Sequence, residues 1–500
     1  MTTDTSTTDS RHRAWSAMSM PGNGTAPAPS TSEATRAAAS TRASRAATAS
    51  SAATATASSS AATAAVVQDP ASRSRIIGLR CRNCERPEVT GPYFVCPSCF
   101  GPLEVVLDRE AVRAQVSRAG IEARGPGIWR YLELLPVEQA PTRGLAVGST
   151  PLIRADRLAA EIGLRSGQVR LKDDTRNPTL SFKDRVVAIA AARASDFGFT
   201  TLACASTGNL AGATAAAAAA IGIRAVVFVP SNLEPAKIDH ALSYGATVVP
   251  VNGTYDDINR LSLEIADEEG WAFVNVNLRP YYSEGSKTLS FEVAEQLGWR
   301  LPDVIVAPIA SGSLFTKVAR GFEDLIAAGL VEDKPVRFIG AQPDGCSPVA
   351  TAFAEGVDEI RPVRSPDTIV RSLAIGSPAD GRYALALARR TGGSIESVPD
   401  AATAAAIRRL ARTEGLFAET AGGVTIAGME QAVQRGLIGP DDEVVALITG
   451  NGVKTPDAKW FGLETDGPAS YERDASAGSG GLARPIDPSY SAFLAAGLGS

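Results

Sequence analysis

Lys183 is a residue whose type and position both suggest chemistry. It lies in the segment DDTRNPTLSFKDRVV (173–187), where a polar loop runs into an apolar helix. Because most lysines keep their ammonium group in water, the position alone favours an ordinary surface charge. A lysine held at the boundary of an element, beside Ser181 and Asp184, can instead act as a reactive amine.

The turn after TLACAS (201–206) places hydroxyl groups at the start of a predicted helix. Ser206 and Thr207 lie in this turn, and Gly208 and Asn209 follow. Hydroxyls and free backbone N–H groups at the positive end of a helix bind carboxylates and phosphates. A plain N-cap by Ser206 or Thr207 accounts for the same residues equally well.

Two further strand-to-helix turns carry candidate ligand groups. The turn after VIVAPIA contains Ala310, Ser311, Gly312, Ser313 and Leu314. Such small residues let backbone N–H groups approach phosphate oxygens, and no Gly-Lys-Ser/Thr follows, which separates the turn from a nucleotide P-loop. The turn after VVALIT begins at Thr449, whose hydroxyl can hydrogen-bond a ring nitrogen; ordinary turn chemistry is the alternative.

Together these groups match the needs of pyridoxal phosphate. Its aldehyde condenses with a lysine amine, its phosphate needs N–H donors, its phenolate oxygen takes an amide donor, and its ring nitrogen needs a partner. Lys183, residues 310–314, Asn209 and Thr449 supply these groups in that order.

Four cysteines precede these segments as two C-x-x-C pairs. Cys81 and Cys84 form the first pair, Cys96 and Cys99 the second, with 11 residues between the pairs. Two such knuckles complete a tetrahedral shell for structural Zn²⁺. The alternative is a metal-free ribbon, and a disulfide is not expected because nothing else indicates an oxidising compartment.

The candidate residues follow short β-rich runs that alternate with helical stretches. The runs are 201–206, 224–230, 247–251, 271–277, 303–310, 337–342 and 443–449. Continuous apolar strands separated by helices predict an α/β fold with a parallel sheet covered on both faces. In such sheets ligands bind beyond the carboxyl ends of the strands, where these turns lie.

Composition and net charge exclude several classes of function. A net charge of -5 argues against nucleic-acid binding, and two histidines make a Ser-His-Asp or His-rich metal mechanism unexpected. No apolar run approaches the roughly 20 residues that span a bilayer, so we expect no membrane contact and a cytoplasmic protein. An organelle transit peptide in the N-terminal tail is the alternative.

Four segments are predicted along the chain. Residues 1–75 are a disordered Ala/Ser/Thr-rich tail, and 76–105 are a zinc-ribbon-like element. Residues 106–464 are a catalytic region of two interleaved subdomains, and 465–500 are a second disordered tail.

The order of the motifs resembles the threonine synthases among the fold type II pyridoxal-phosphate enzymes. The matching segments are NPTLSFKDR, ASTGNLAGA, EGSKT, PIASGS, SLAIGSPADG, FAETAGGVT and ITGNG, and the resemblance covers about Leu79 to Asp457. It implies two open, twisted, mainly parallel sheets covered by helices, and a homodimer. The phosphate turn reads ASGSL, whereas many relatives have Gly and Asn there, so individual phosphate contacts differ.

The resemblance also implies roles for single residues. Lys183 would bind the cofactor aldehyde, Asn209 its 3′-oxygen, residues 310–314 its phosphate, and Thr449 would face its ring nitrogen. The expected reaction converts O-phospho-L-homoserine and water to L-threonine and phosphate. Ser206 and Thr207 are then candidates for the substrate carboxylate. The candidate cations for the substrate phosphate are Lys172, Arg185 and Lys237.

Other functions remain open from the sequence. Cysteate synthase, which uses O-phosphoserine and sulfite, is the nearest competitor, and cysteine synthase is another. The ribbon and the lack of an evident regulatory domain disfavour threonine and serine dehydratases. A catalytically decayed zinc-ribbon interaction protein is the alternative outside enzymes.

Overall fold

The computed structural model describes residues 69–70, 73–206, 208–233, 235–253, 255–455 and 485–497. Most of the predicted tails lies outside these ranges, and so does Thr207. The predictions made for those residues therefore stay predictions.

Three antiparallel strands form the cysteine ribbon (76–105). They are β1 (Ile76–Cys81), β2 (Pro87–Glu88) and β3 (Leu103–Leu107), in the order β2-β1-β3. The ribbon has a small core, in which Leu79, Leu103 and Val105 are buried against the catalytic region.

Two larger sheets carry the rest of the chain. The six-stranded sheet contains β4 (Leu152–Arg154), β5 (Val169–Asp173), β10 (Val304–Pro308), β11 (Arg337–Pro343), β12 (Ser394–Val398) and β13 (Val444–Ile448). The four-stranded sheet contains β6 (Thr201–Ala205), β7 (Arg224–Pro230), β8 (Thr247–Val251) and β9 (Ala272–Phe273).

Both sheets are almost entirely parallel. The strand orders are β12-β11-β10-β13-β5-β4 and β8-β7-β6-β9, and among these described strands the antiparallel pair is β4 with β5. The chain enters the first sheet, builds the second, and returns to the first, so the two sheets are interleaved along the sequence. Strands β6, β10 and β13 are buried at every position, as expected for a sheet covered by helices on both faces. The predicted fold class is confirmed.

Helices cover both sheets. They are α1 (Arg109–Gln115), α2 (Arg118–Glu122), α3 (Asp156–Ile162), α4 (Lys183–Asp196), α5 (Asn209–Ile221), α6 (Pro235–Leu242), α7 (Tyr255–Glu269), α8 (Arg279–Glu284), α9 (Lys287–Gln296), α10 (Ser313–Ala327), α11 (Pro348–Glu355), α12 (Gly381–Arg390), α13 (Asp400–Glu414), α14 (Thr420–Gln434) and α15 (Tyr490–Ala495). Short 3₁₀ helices lie at Ile128–Leu134, Asp174–Arg176, Asp344–Cys346, Arg371–Leu373 and Gly452–Lys454. Within the described ranges, no helix combines the length and apolarity that crossing a membrane requires.

Residues 485–497 correct part of the predicted disordered C-terminal tail. Ile486 pairs with Val251 at the end of β8, and helix α15 follows. The Phe493 side chain on α15 is fully buried, and its ring centroid lies 5.7 Å from that of Phe228. The polar composition of 465–500 concealed the short apolar cluster YSAFL, which gives this stretch a face to bury.

Candidate active site

A cavity of about 310 Å³ lies where the carboxyl ends of β6, β10 and β13 meet the helices that follow them. This volume is within the range of small-molecule sites. Predicted residues that line it are Lys183, Ser206, Asn209, Ala310, Ser311, Gly312, Ser313, Leu314 and Thr449. The structure therefore brings together residues from four separate segments of the sequence.

Lys183 is the first residue of α4, and its side chain is half-buried in the cavity. Its Nζ donates a hydrogen bond to Tyr282 Oη at 3.0 Å. No carboxylate among the described residues lies within ion-pair distance of this amine. Desolvation lowers the pKa of Lys183 below the 10.5 of an ordinary lysine, because burial penalises the charged form.

The loop before Lys183 is anchored to the turn that contains Thr449. The Phe182 N–H donates to Thr449 O at 2.9 Å, and the Asn451 N–H donates to Leu180 O at 3.0 Å. These bonds fix the start of α4 against the carboxyl end of β13. Lys183 and Thr449 consequently line the same cavity although 266 positions separate them in sequence.

Asn209 begins α5, and its amide contacts Glu419. Its Nδ2 lies 2.7 Å from Glu419 Oε1 and 2.8 Å from Oε2, whereas its Oδ1 is buried without a hydrogen-bond partner among the described residues. A Cβ at Gly450 would lie 2.2 Å from Glu419 Oε1. The TGNG turn therefore needs glycine there to let Glu419 reach Asn209. The amide nitrogen carries a second hydrogen that a ligand can accept.

The turn 310–314 lies at the amino end of the 15-residue helix α10. Gly312 has φ +93°, and a Cβ there would lie 2.8 Å from Asp380 O, so both conformation and space favour glycine. Backbone N–H groups at such a helix start are free to bind an anion, and the helix dipole adds a favourable field.

Of the two residues predicted for the substrate carboxylate, Ser206 lines the cavity and Thr207 lies outside the described residues. Ser206 Oγ accepts hydrogen bonds from the Gly208 and Ala211 N–H groups, both at 2.9 Å. The hydroxyl therefore stabilises the start of α5, which is the capping interpretation of this turn. Lys237 is buried against the same turn: a Cβ at Gly208 would lie 2.2 Å from its Cδ.

Lys172 and Arg185, two of the residues predicted to bind the substrate phosphate, do not line the cavity. Both side chains have no exposed surface and belong to a buried ion-pair network with Glu292 and Asp174. Lys172 Nζ lies 2.6 Å from Glu292 Oε2, and Arg185 Nε lies 2.7 Å from Asp174 Oδ2. Burial alone would raise the pKa of Glu292, but Arg185 and Lys172 hold it well below its usual range.

Several polar residues in the cavity were missed by the sequence analysis. They are Tyr255, Asn259, Asn275, Arg279, Tyr282 and Glu419. Among the described residues that line the cavity, Arg279 is the one cation besides Lys183. Its segment follows WAFVNVN, which the sequence predicts as one strand. The strand ends at Phe273, so the residues after it turn back and form the cavity wall.

The four ribbon cysteines come together as predicted. Their sulfur atoms lie within 4.8 Å of one another, with Cys81 Sγ 3.4 Å from Cys99 Sγ and Cys84 Sγ 3.7 Å from Cys96 Sγ. These separations exceed the roughly 2.05 Å of a disulfide. They are close to the edge of a tetrahedron with Zn–S bonds of about 2.3 Å, so the cluster can bind a metal.

Comparison with known proteins gives the class. Residues 144–450 match the family model described as pyridoxal-phosphate dependent enzyme. This match covers more than half of the chain, and the chain belongs to this family of enzymes.

Two curated relatives narrow the class further. The chain is 34% identical to the threonine synthase of Methanocaldococcus jannaschii over 76% of its own length and 93% of that protein. It is 36% identical to the threonine synthase of Methanosarcina acetivorans over 76% of its own length and 92% of that protein. These relatives confirm the resemblance to threonine synthases found in the sequence.

Solved structures agree on the fold. A fungal L-serine ammonia-lyase from Rhizomucor miehei superimposes with a TM-score of 0.53 at 22% identity, covering 61% of this chain and 94% of that chain. The processed form of threonine deaminase isoform 2 from Solanum lycopersicum superimposes with a TM-score of 0.50 at 23% identity. The match covers 60% of this chain and 79% of that chain. At these identities the likeness concerns the fold alone.

The cavity fits pyridoxal phosphate on grounds of its own. Within the described ranges, the half-buried amine of Lys183 has no counter-ion, and the amide nitrogen of Asn209 carries a second hydrogen besides the one directed at Glu419. The amino end of α10, with small residues at 310–314, lines the cavity, and its Gly312 packs so closely on Asp380 that a Cβ would lie 2.8 Å from Asp380 O. An aldehyde, a polar ring substituent and a phosphate are the groups that these three features accept.

Proposed function

We propose that this enzyme converts O-phospho-L-homoserine and water to L-threonine and phosphate. The observation that carries the proposal is the desolvated amine of Lys183, which has no counter-ion among the described residues and shares a cavity with an anion-binding helix start and with Arg279. The threonine synthase relatives, matched over nearly their full length, support the substrate.

The cofactor would be held by the residues that the sequence predicts. Lys183 binds its aldehyde, the backbone of residues 310–314 its phosphate, Asn209 its 3′-oxygen, and Thr449 faces its ring nitrogen. When bound, pyridoxal phosphate supplies an aldehyde that condenses with the substrate amine and a ring that accepts the electron pair left at Cα. Thr449 is uncharged and would not hold the ring nitrogen protonated, so the amide of Asn209 would be needed to stabilise negative charge on the 3′-oxygen.

Lys183 then serves as the base and acid of the reaction. Its lowered pKa favours the neutral amine, which takes the proton from Cα of the substrate. With the cofactor bound, the same amine would carry the protons that leave Cα and Cβ and those that return to Cγ and Cα. Phosphate would leave Cγ with the bonding electrons, and water would give its hydroxyl to Cβ and its remaining proton to the phosphate. Tyr282 Oη, 3.0 Å from Lys183 Nζ, orients the amine through these transfers.

Arg279 takes the role for which the sequence analysis proposed Lys172, Arg185 and Lys237. Its guanidinium faces the cavity and can pair with two phosphate oxygens at once. Lys172 and Arg185 are committed to buried carboxylates. Lys237 remains a candidate because it lies beside the turn 206–209. Ser206 contributes the rigid start of α5, where a substrate carboxylate meets free N–H groups.

Phosphate release from O-phospho-L-homoserine tests the proposal against its competitors. The purified holoenzyme should release phosphate and form threonine in equal amounts. Parallel reactions with O-phosphoserine, with and without sulfite, should be far slower. Phosphate release only from O-phosphoserine with sulfite would instead identify a cysteate synthase.

We propose further that the four ribbon cysteines hold one structural Zn²⁺. Their sulfur separations and the lack of any disulfide among the described residues support this assignment. Metal analysis should give one zinc per chain, and Cys84→Ser should lower this ratio. Our remaining proposals are a homodimer, which follows from the family resemblance alone, and a cytoplasmic location, which the sequence predicts.

A further inference from the structure

We infer that Asp380 couples the cysteine ribbon to Arg279, so that Arg82 of the ribbon sets the affinity of the active site for phosphate. Asp380 and Arg82 are positioning residues in this proposal, since neither lines the cavity. The inference rests on the proposed function, because it assigns Arg279 to the substrate phosphate.

Asp380 joins two arginines from opposite sides. Arg279 Nη2 donates to Asp380 Oδ2 at 2.7 Å, and Arg82 Nη1 donates to Asp380 Oδ1 at 3.2 Å. The Asp380 side chain is 6% exposed, so both charge-assisted bonds are shielded from solvent. Its backbone N–H also donates to Ser311 O at 2.8 Å, which ties it to the turn 310–314.

Arg82 has contacts with other residues besides Asp380. It lies inside the first cysteine knuckle, between Cys81 and Cys84. Its guanidinium stacks 3.5 Å from the ring centroid of Tyr383 on α12, and Tyr383 Oη donates to Asn83 Oδ1 at 2.8 Å. The conformation of the knuckle therefore determines where Arg82 presents its charge.

The ribbon also clamps the helix that carries Arg279. Tyr281 Oη accepts from the Gly91 N–H at 2.9 Å and donates to Gly91 O at 3.0 Å. Phe94 of the ribbon lines the cavity itself. Helix α8 thus has Tyr281 fixed by the ribbon, while Arg279 and Tyr282 on either side of it face the cavity.

Electrostatics explain why the second arginine matters. One carboxylate shared by two guanidinium groups neutralises Arg279 less completely than an exclusive pair would, which leaves more positive charge for an anion in the cavity. Without Arg82, Asp380 is free to turn fully toward Arg279 and compete with phosphate. Loss of Arg82 should therefore weaken phosphate binding although Arg82 never contacts it.

Arg82→Gln and Arg80→Gln form a matched pair for the test. Arg80 lies on the other side of Cys81 and pairs with Glu104 at 3.2 Å, a carboxylate whose Oε2 also lies 3.9 Å from Arg82 Nε, whereas the bond to Asp380 belongs to Arg82. In the holoenzyme, Arg82→Gln should raise KM for O-phospho-L-homoserine about 5- to 10-fold with kcat within about twofold, a coupling of ordinary size. The dissociation constant of inorganic phosphate, measured by calorimetry, should rise by the same factor. Arg80→Gln should change both quantities far less than Arg82→Gln does, because Arg80 contacts Glu104 and reaches Asp380 through no bond of its own.

A double variant tests whether the effect passes through Asp380. If it does, the phosphate affinities of Asp380→Asn and of Arg82→Gln/Asp380→Asn should be equal, because the second change removes nothing more. Arg82→Lys keeps the charge and should recover part of the affinity, which separates positioning from a folding defect. Independent effects in the double variant, or equal behaviour of Arg82→Gln and Arg80→Gln, would overturn the inference. Failure of the wild type to turn over O-phospho-L-homoserine would instead overturn the proposed function, and the calorimetric comparison would still test the coupling.

Discussion

Lys183 and Arg185 lie two residues apart on one helix and have opposite environments. Lys183 faces the cavity, where a tyrosine hydroxyl is its hydrogen-bond partner. Arg185 faces the core and contacts Asp174 and Glu292 at 2.7 Å. Burial lowers the pKa of Lys183, whereas the two carboxylates outweigh burial and raise the pKa of Arg185.

The difference shows that burial alone does not make a cation reactive. A buried cation paired with carboxylates is fixed in its charged form and holds elements together. A desolvated amine without such partners is readily neutral and can act as a nucleophile or base. Helix α4 therefore presents the proposed reactive amine on one face and a structural ion pair on the other, and variants at each face should lose different properties.

Lys183→Ala should produce the largest loss. Turnover of O-phospho-L-homoserine should fall by at least about 10³-fold, because the amine is both anchor and proton carrier. The melting temperature should change little, since no ion pair among the described residues is broken. Substantial phosphate release by this variant would remove Lys183 from the mechanism.

Arg185→Gln should show the reverse behaviour. Loss of its charge leaves Asp174 and Glu292 partly unpaired in the core, which should lower the free energy of unfolding by about 3–5 kcal/mol. Arg165→Gln is the control: its pair with Asp441 is exposed, with side chains 67% and 66% accessible, and should contribute less than about 1 kcal/mol. Denaturant titration measures the free energy of unfolding of both variants. Equal stability of the two variants would contradict the division between the faces of α4.

Asn209→Ala should lower kcat/KM by about 10²-fold, the effect of removing one preorganised donor. The unfolding transition should move far less than in Arg185→Gln, because the amide bonds to a residue at the cavity wall. Steady-state kinetics and thermal unfolding of the same preparation check this. A loss of activity that merely follows a loss of folded protein would contradict a role in catalysis.

The pH dependence of cofactor binding should show the smallest effect. Neutral amine is the nucleophile toward an aldehyde, so the rate of imine formation rises with pH and levels off above the pKa of the amine. Because desolvation lowers the pKa of Lys183, the rate of imine formation in apoprotein mixed with pyridoxal phosphate should level off below pH 10.5. Absorbance measurements follow the rate of imine formation. For free Nα-acetyl-lysine, this rate should level off at a higher pH than for the protein. A rate for the protein that still rises at pH 10.5 would contradict the desolvated amine.

Much of the fold could be predicted because local pattern and burial agree. The runs 224–230 and 247–251 are strands β7 and β8 with the predicted bounds. Strand β5 was missed because its sequence VRLKD alternates charge with apolar residues. Its Lys172 is buried with partners that include Glu292, 120 positions away, and such long-range pairing leaves no local signal.

The same limit applies to the site. Lys183 and the turns 206–209, 310–314 and 449–452 were found because each carries its motif locally. Arg279 lies in no such local motif. Its proposed role depends on the early end of β9 and on its bond to Asp380, which lies 101 positions later in the sequence. Local sequence therefore identifies the candidate cofactor-binding groups, whereas the charges proposed to surround the substrate depend on tertiary structure.

Borohydride reduction of the purified holoenzyme, followed by peptide mass spectrometry, tests the central claim most directly. Reduction fixes the aldehyde carbon of pyridoxal phosphate to whichever amine holds it. The account predicts a phosphopyridoxyl adduct on Lys183. An adduct on another lysine such as Lys237 or Lys454, or none at all, would contradict it.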